Sequence, residues 1–138
     1  MVVVPRARVD EIIAHAQETP LAETCGILGG RDGHVERVYR AKNVAQTPRT
    51  RYEMDPRDIV RISDDIDDAG LELVGFYHSH THTEARPSPT DVAIWPGQWY
   101  PEAICFICTL MEPEYPAVRA FRIDDAGNVT EEELNIEG

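Results

Sequence analysis

Lysine is nearly absent from this chain: Lys42 is the only one among 13 basic residues, and these face 25 acidic ones. The formal charge of −12 repels phosphate backbones and anionic lipid, so no nucleic acid and no membrane surface is expected as a partner, and a neutral or basic one is favoured. Acids cluster at Asp64-Asp65, Asp67-Asp68, Asp124-Asp125 and Glu131-Glu132-Glu133. Such clusters either suit a high-salt setting, where screening relieves self-repulsion, or are ordinary solvated faces. Long apolar runs are missing too. Nothing approaches the roughly 18 consecutive apolar residues of a membrane span. The opening Met1-Val2-Val3-Val4-Pro5 turns polar before it makes the ~7–15 apolar residues of a secretory leader. Cysteine is scarce and odd in number. Cys25, Cys105 and Cys108 lie in apolar surroundings, which argues against a disulfide framework and for buried thiols in a reducing, cytoplasmic compartment. The rest is an ordinary globular balance, 42% hydrophobic and 28% charged over 138 residues. It is expected to fold as one domain over 1–138, burying roughly 70% of its unfolded surface.

Periodicity supplies the elements. Val9, Ile12, Ile13 and Ala16 fall at helical spacing, predicting an amphipathic helix over about 7–18 that Pro20 ends. Two apolar runs, 25–29 and 35–39, flank Asp32-Gly33, a dipeptide suited to a tight hairpin turn. Asp55-Pro56 reads as an N-cap followed by proline at the first helical position, with Ile59, Ile62, Ile66 and Ala69 forming one stripe before Gly70. The run 71–77 predicts a strand covered on both faces, with His78-Ser79-His80 at its C-terminal end. A short helix from Ser88-Pro89 to about residue 95, a buried strand over 103–110, and strands over 118–123 and 129–136 complete the sheet. Hairpins mixed with helical crossovers give the expected fold class, α/β (α+β) with a mixed β-sheet flanked by helices.

Side chains two apart on a strand share a face, so His78 and His80 present two imidazoles side by side while Ser79 turns away. Catalytic zinc takes three protein ligands and leaves a fourth position open, and Asp91, in the first turn of the following helix, is placed to be the third. Ser88-Pro89-Thr90-Asp91 also has the form of a helix capping box, a purely structural alternative. His82 continues the row by two, but the chain turns there into the loop 81–87, so it is not expected to ligate. His15 and His34 are expected at the surface.

His78-Ser79-His80, then after seven residues Ser88 and Asp91, resembles the JAMM signature of the MPN zinc metalloprotease family. Glu23-Thr24-Cys25-Gly26-Ile27-Leu28-Gly29-Gly30 is similar to the strand that carries that family's glutamate, and Asn43 with Tyr52-Glu53-Met54-Asp55-Pro56 fits its prokaryotic branch. The resemblance implies the cytidine-deaminase-like JAMM/MPN fold. It implies Zn²⁺ held by His78, His80 and Asp91, with Glu23 moving protons as general base and then acid, and Ser88 donating a hydrogen bond to the oxyanion. The implied reaction is hydrolysis of an amide or isopeptide bond at the C-terminal Gly-Gly of a ubiquitin-like or sulfur carrier protein. The stretch from His78 to Val92 is most similar to bacterial peptidases that release cysteine from a sulfur carrier. A general deconjugase for ubiquitin-like modifiers and a metal-free MPN scaffold are the alternatives.

A rival of another class comes from His82-Thr83-Glu84 with Cys105-Phe106-Ile107-Cys108, which superficially follows the zinc deaminase pattern. Ile104 stands where that pattern has proline, and residues three apart on a strand face opposite ways. Arg49, Arg51 and Arg86 flank the expected site. They either steer an acidic carrier or are ordinary surface arginines.

Overall fold

The computed structural model describes residues 1–138. In chain order the elements are β1 (Val2–Pro5), α1 (Arg6–Glu18), β2 (Cys25–Arg31), β3 (His34–Ala41), α2 (Pro56–Asp68), β4 (Glu72–His80), α3 (Pro89–Ile94), β5 (Ile104–Thr109), β6 (Ala117–Ile123), β7 (Val129–Glu132) and β8 (Leu134–Glu137). All strands join one sheet in the order β7-β6-β5-β4-β2-β3-β1-β8. It is mixed: β1 runs parallel to β3 and β8, and β4 parallel to β5, while the remaining pairs are antiparallel.

The expected elements form, with two departures at the ends. Residues 2–5 are a strand, which the short apolar run did not signal. The stretch 129–136, expected as a single closing strand, breaks at Glu133 into β7 and β8, at opposite ends of the strand order. A single linking residue spans only ~3.5 Å, so the sheet curls until its two edges meet. Val2 N–H donates to the Glu133 carbonyl at 2.9 Å and the Met1 ammonium pairs with Glu132 at 2.6 Å, closing that seam.

Helix α1 packs inside the curl, where Val9, Ile12 and Ala16 meet Leu28, Val35, Phe106 and Cys108. Helix α2 covers part of the other face, its Ile62 and Ile66 packing on Ile27 and Phe76. Asp55 caps α2 by accepting from Arg57 N–H at 2.9 Å, ahead of Pro56 as the sequence implies.

β4, which carries His78 and His80, is not regular. Leu28 of β2 pairs with Gly75 and Gly29 with Leu73, which leaves Val74 as an extra residue on β4. Such a bulge resets the in-out alternation. Val74 and Tyr77 therefore face the α1 core, while Leu73 and Phe76 face the α2 side. From Phe76 onward the alternation is regular, and β4 continues through His80, so His78-Ser79-His80 form its C-terminal end as expected.

Candidate metal centre

Phe76, His78 and His80 lie on one face of β4, and the two imidazoles converge: His78 Nε2 and His80 Nε2 are 3.2 Å apart. Asp91 Oδ2 lies 3.1 Å from the first and 3.0 Å from the second. All three side chains are buried. Each is held from behind. His80 Nδ1–H donates to the Glu84 carbonyl at 2.8 Å, which aims Nε2 and its lone pair inward. The Tyr52 ring stacks on His78 with centroids 4.4 Å apart and planes 23° from parallel. Asp91 is the third residue of α3, where the capping box is real: Asp91 N–H donates to Ser88 Oγ at 3.1 Å and Ser88 N–H to Asp91 Oδ2 at 2.9 Å. The capping motif and the ligand motif are thus the same residues. The structural alternative for Ser88 to Asp91 holds alongside the chemical one, because the cap is what fixes the carboxylate.

Register brings in Glu23. Cys25 pairs with His78 across β2 and β4, so the chain two residues before Cys25 runs beside His80, on the same face by the period of two. The extension past the end of β2 is pinned by Ser79, the residue between the two histidines. Its N–H donates to the Thr24 carbonyl at 2.9 Å, and its hydroxyl accepts from Thr24 N–H at 2.8 Å and Thr24 Oγ1–H at 3.1 Å. The loop after β3 holds the other side: Glu23 N–H donates to the Pro48 carbonyl at 2.7 Å, and Asn43 Nδ2 donates to the Glu23 carbonyl at 2.9 Å.

Glu23 is only 7% exposed, and its buried Oε1 has no hydrogen-bond partner. Burial raises its pKa to about 7, with Asp91 adding to the rise and His80 opposing it. Asp91 behaves in the opposite way. Burial would push it up, but the His78 and His80 hydrogen bonds and the Ser88 N–H outweigh that and hold it far below the usual carboxylate range. Burial lowers His78, against the pull of Asp91, toward the neutral imidazole that a metal ligand must be.

The donor set suits zinc. Four ligands about 2.0–2.1 Å from a tetrahedral Zn²⁺ stand about 3.3 Å apart, close to the 3.0–3.2 Å triangle of His78, His80 and Asp91. Two nitrogens and one carboxylate oxygen form a cap with one corner open. The orphaned Glu23 Oε1 is a buried acceptor in the field of His80 and Asp91.

A cleft of about 520 Å³ opens next to Tyr52, walled by Met54, Ile59, Phe76, Ile94 and Tyr100, with Arg51 and Glu53 at its lining. The deaminase-like pattern does not assemble. His82 and Glu84 are exposed. Cys105 packs with Phe121 and Ile107, while Cys108 faces the α1 core. Burial raises all three thiols, Cys25 and Cys108 to about 12, which leaves them protonated and inert. His34 is exposed as expected. His15 is not: it is half-buried, and its Nδ1 lies 2.6 Å from the Tyr77 hydroxyl. A helical position next to Ala16 gave no hint of a partner 62 residues away. Sequence reasoning also assigned no role to Ser79, Thr24, Asn43 or Tyr52. The available signal was a small polar residue locked between two buried histidines.

Known proteins share the fold and much of the sequence. The profile of the family described as prokaryotic homologs of the JAB domain matches residues 5–124. A protein of Haloferax volcanii named desampylase is 43% identical over 66% of this chain and 71% of its own. A protein of Mycobacterium tuberculosis named CysO-cysteine peptidase is 35% identical over 93% of this chain and 86% of its own. The solution structure of a Desulfitobacterium hafniense protein superposes with a TM-score of 0.86 at 35% identity, covering 99% of this chain and 93% of that one. The fold is shared with a structure described as a JAMM metalloprotease-like zinc site in the proteasome and signalosome, with a TM-score of 0.61 at 15% identity over 100% and 99% of the two chains.

Proposed function

Because the chain belongs to the family of prokaryotic homologs of the JAB domain, we propose that it is a zinc-dependent peptidase that hydrolyses an amide or isopeptide bond at the C-terminal glycine of a ubiquitin-like or sulfur carrier protein. The observation that carries this reading is the buried, unpartnered Glu23 carboxylate beside three converging ligand atoms. A metal-free scaffold has no use for that arrangement, which leaves one acceptor unsatisfied and crowds three others together.

His78, His80 and Asp91 would hold the metal, and Ser88 and Glu84 would keep Asp91 and His80 in place. Zinc there supplies Lewis acidity and lowers the pKa of water to about 7. Glu23, poised near neutrality, takes the proton from the attacking water and passes it to the leaving amine. The Ser88 hydroxyl accepts in the helix cap, so its own proton is left to donate to the oxyanion of the carbonyl under attack. The domain would act as one unit over 1–138. No helix is long and apolar enough to cross a membrane. Three free buried thiols suit the reducing cytoplasm.

The names of the relatives divide between two leaving groups, an amino acid released from a carrier and a protein deconjugated from one. The coverage of the CysO-cysteine peptidase favours the first, and the higher identity of the desampylase favours the second. The deciding experiment offers zinc-loaded protein a carrier–cysteine adduct and a lysine isopeptide conjugate, each with and without chelator. Chelator-sensitive cleavage of either supports the peptidase reading, and the faster substrate names the leaving group. Cleavage of neither by fully zinc-loaded protein sinks it.

A further inference from the structure

With 25 acids for 13 bases, an arginine in this chain has carboxylates to spare. Arg31, Arg40, Arg119 and Arg122 each hold a glutamate at 2.9 Å or less. Arg6, Arg37, Arg49, Arg51 and Arg86 are exposed and form no salt bridge within 4.0 Å, and the last three are distinguished by their backbone contacts. These three are tied to the framework of the metal-binding triad. The Arg49 carbonyl accepts from Thr81 Oγ1–H at 3.3 Å, beside the ligand His80. The Arg51 carbonyl accepts from Asn43 Nδ2 at 3.1 Å, and its neighbour Tyr52 stacks on His78. Arg86 N–H donates at 2.9 Å to the Glu84 carbonyl, the same oxygen that orients His80.

Acids lie close by without claiming them. Glu53 lines the cleft together with Arg51, and Glu84 stands two residues before Arg86. Arg86 lies in the field of Glu131, which is already bound by Arg119. Guanidinium groups anchored by their backbones and free of partners are ready to pair without first breaking an internal ion pair. The negative charge elsewhere on the chain is screened beyond about 8 Å at physiological salt, so the local charge governs what approaches the site.

We propose that Arg49, Arg51 and Arg86 form a cationic mouth around the metal centre that receives carboxylates of the substrate protein next to its cleaved tail. The partner is therefore acidic close to its C-terminal glycines, whereas the charge of the whole chain favoured a neutral or basic one. This inference rests on the triad being the reactive centre.

The test measures binding of short peptides ending in Gly-Gly that carry glutamate, glutamine or lysine upstream. For wild type at about 50 mM salt the glutamate peptide should bind at least ~10-fold tighter than the glutamine peptide, with the difference vanishing near 1 M. The combined R49E, R51E and R86E variant should prefer the lysine peptide, a gain that a misfolded protein does not produce. Equal binding of the glutamate and glutamine peptides, no binding of the glutamate peptide, or an unchanged preference in the reversed variant overturns the proposal. The peptidase reading fails separately. Protein that discriminates the peptides yet cleaves no carrier conjugate refutes the activity and keeps the mouth, and protein that cleaves but ignores charge does the reverse.

Discussion

β4 makes a histidine contact on each of its faces, and the two are built on different principles. On one face His78 and His80 meet Asp91, with three potential ligand atoms pressed to within 3.2 Å of one another. On the other, Tyr77 meets His15 in a single bond of 2.6 Å, edge to face with the imidazole at 5.8 Å. The second arrangement is complete in itself: one donor, one acceptor, and a structural link from α1 to the sheet. Burial, aided by Arg40, lowers His15 to about 4, so it stays neutral and the bond needs no ion. The first is over-supplied with acceptors and leaves Glu23 Oε1 with none of its needs met. The histidine contacts of this strand are thus a brace to α1 on one face and an incomplete coordination shell on the other. The difference lies in how many lone pairs converge.

The comparison breaks most visibly if a ligand is removed. His80→Ala should abolish stoichiometric zinc binding and all cleavage, and should erase the stabilisation that zinc gives the native state, about 2.7 kcal/mol when the metal is at 100 times its dissociation constant. Metal analysis and melting with and without zinc check this. Retained zinc at one equivalent would mean that the triad is not the site. Glu23→Gln comes next: activity should fall by at least ~10²–10⁴ while zinc content stays near that of wild type, because proton transfer is lost and the ligands are not. A loss of metal in this variant would instead make Glu23 a ligand.

On the brace side, Tyr77→Phe should cost ~1–2 kcal/mol of stability by leaving His15 Nδ1 without a partner, with no change in zinc stoichiometry. Denaturant unfolding and metal analysis together read both halves. The smallest effect concerns pH. Between pH 6.5 and about 4 the unfolded chain binds a proton at His15 that the folded chain refuses, so the stabilisation is whole above 6.5, declines as pH falls, and is gone below about 4. Solvent screening at this half-buried position keeps the effect on the order of 1 kcal/mol. Comparing the acid limb of metal-free wild type with that of His15→Gln isolates it, and parallel limbs would show that His15 does not titrate across folding.

Several features were legible because they depend on near neighbours in the chain. The convergence of His78 and His80 follows from the two-residue repeat of a strand, and the Asp55-Pro56 and Ser88-Pro89 helix starts follow from capping chemistry. Cys105 and Cys108 were rightly separated by the same strand rule. Others were hidden for stated reasons. Residues 2–5 are too few to signal a strand, and they become one only because β3 and the C-terminal β8, about a hundred residues apart in sequence, come to lie on either side. The Val74 bulge leaves no mark in the apolar run Leu73 to Tyr77, where residues of both faces are apolar or glycine.

By itself, the amino-acid order determined the local geometry of His78, His80 and Asp91, the residues the structure brings together as a triad, since periodicity, caps and turns act over a few residues. Only the tertiary structure decided that Glu23 lies beside a triad more than fifty residues away, that Ser79 is the lock between them, and that His15 finds Tyr77. Those relations depend on strand register and on the curl of the sheet. Both are set by the joint packing of α1 and α2 on opposite faces, which is a property of the whole core rather than of any segment.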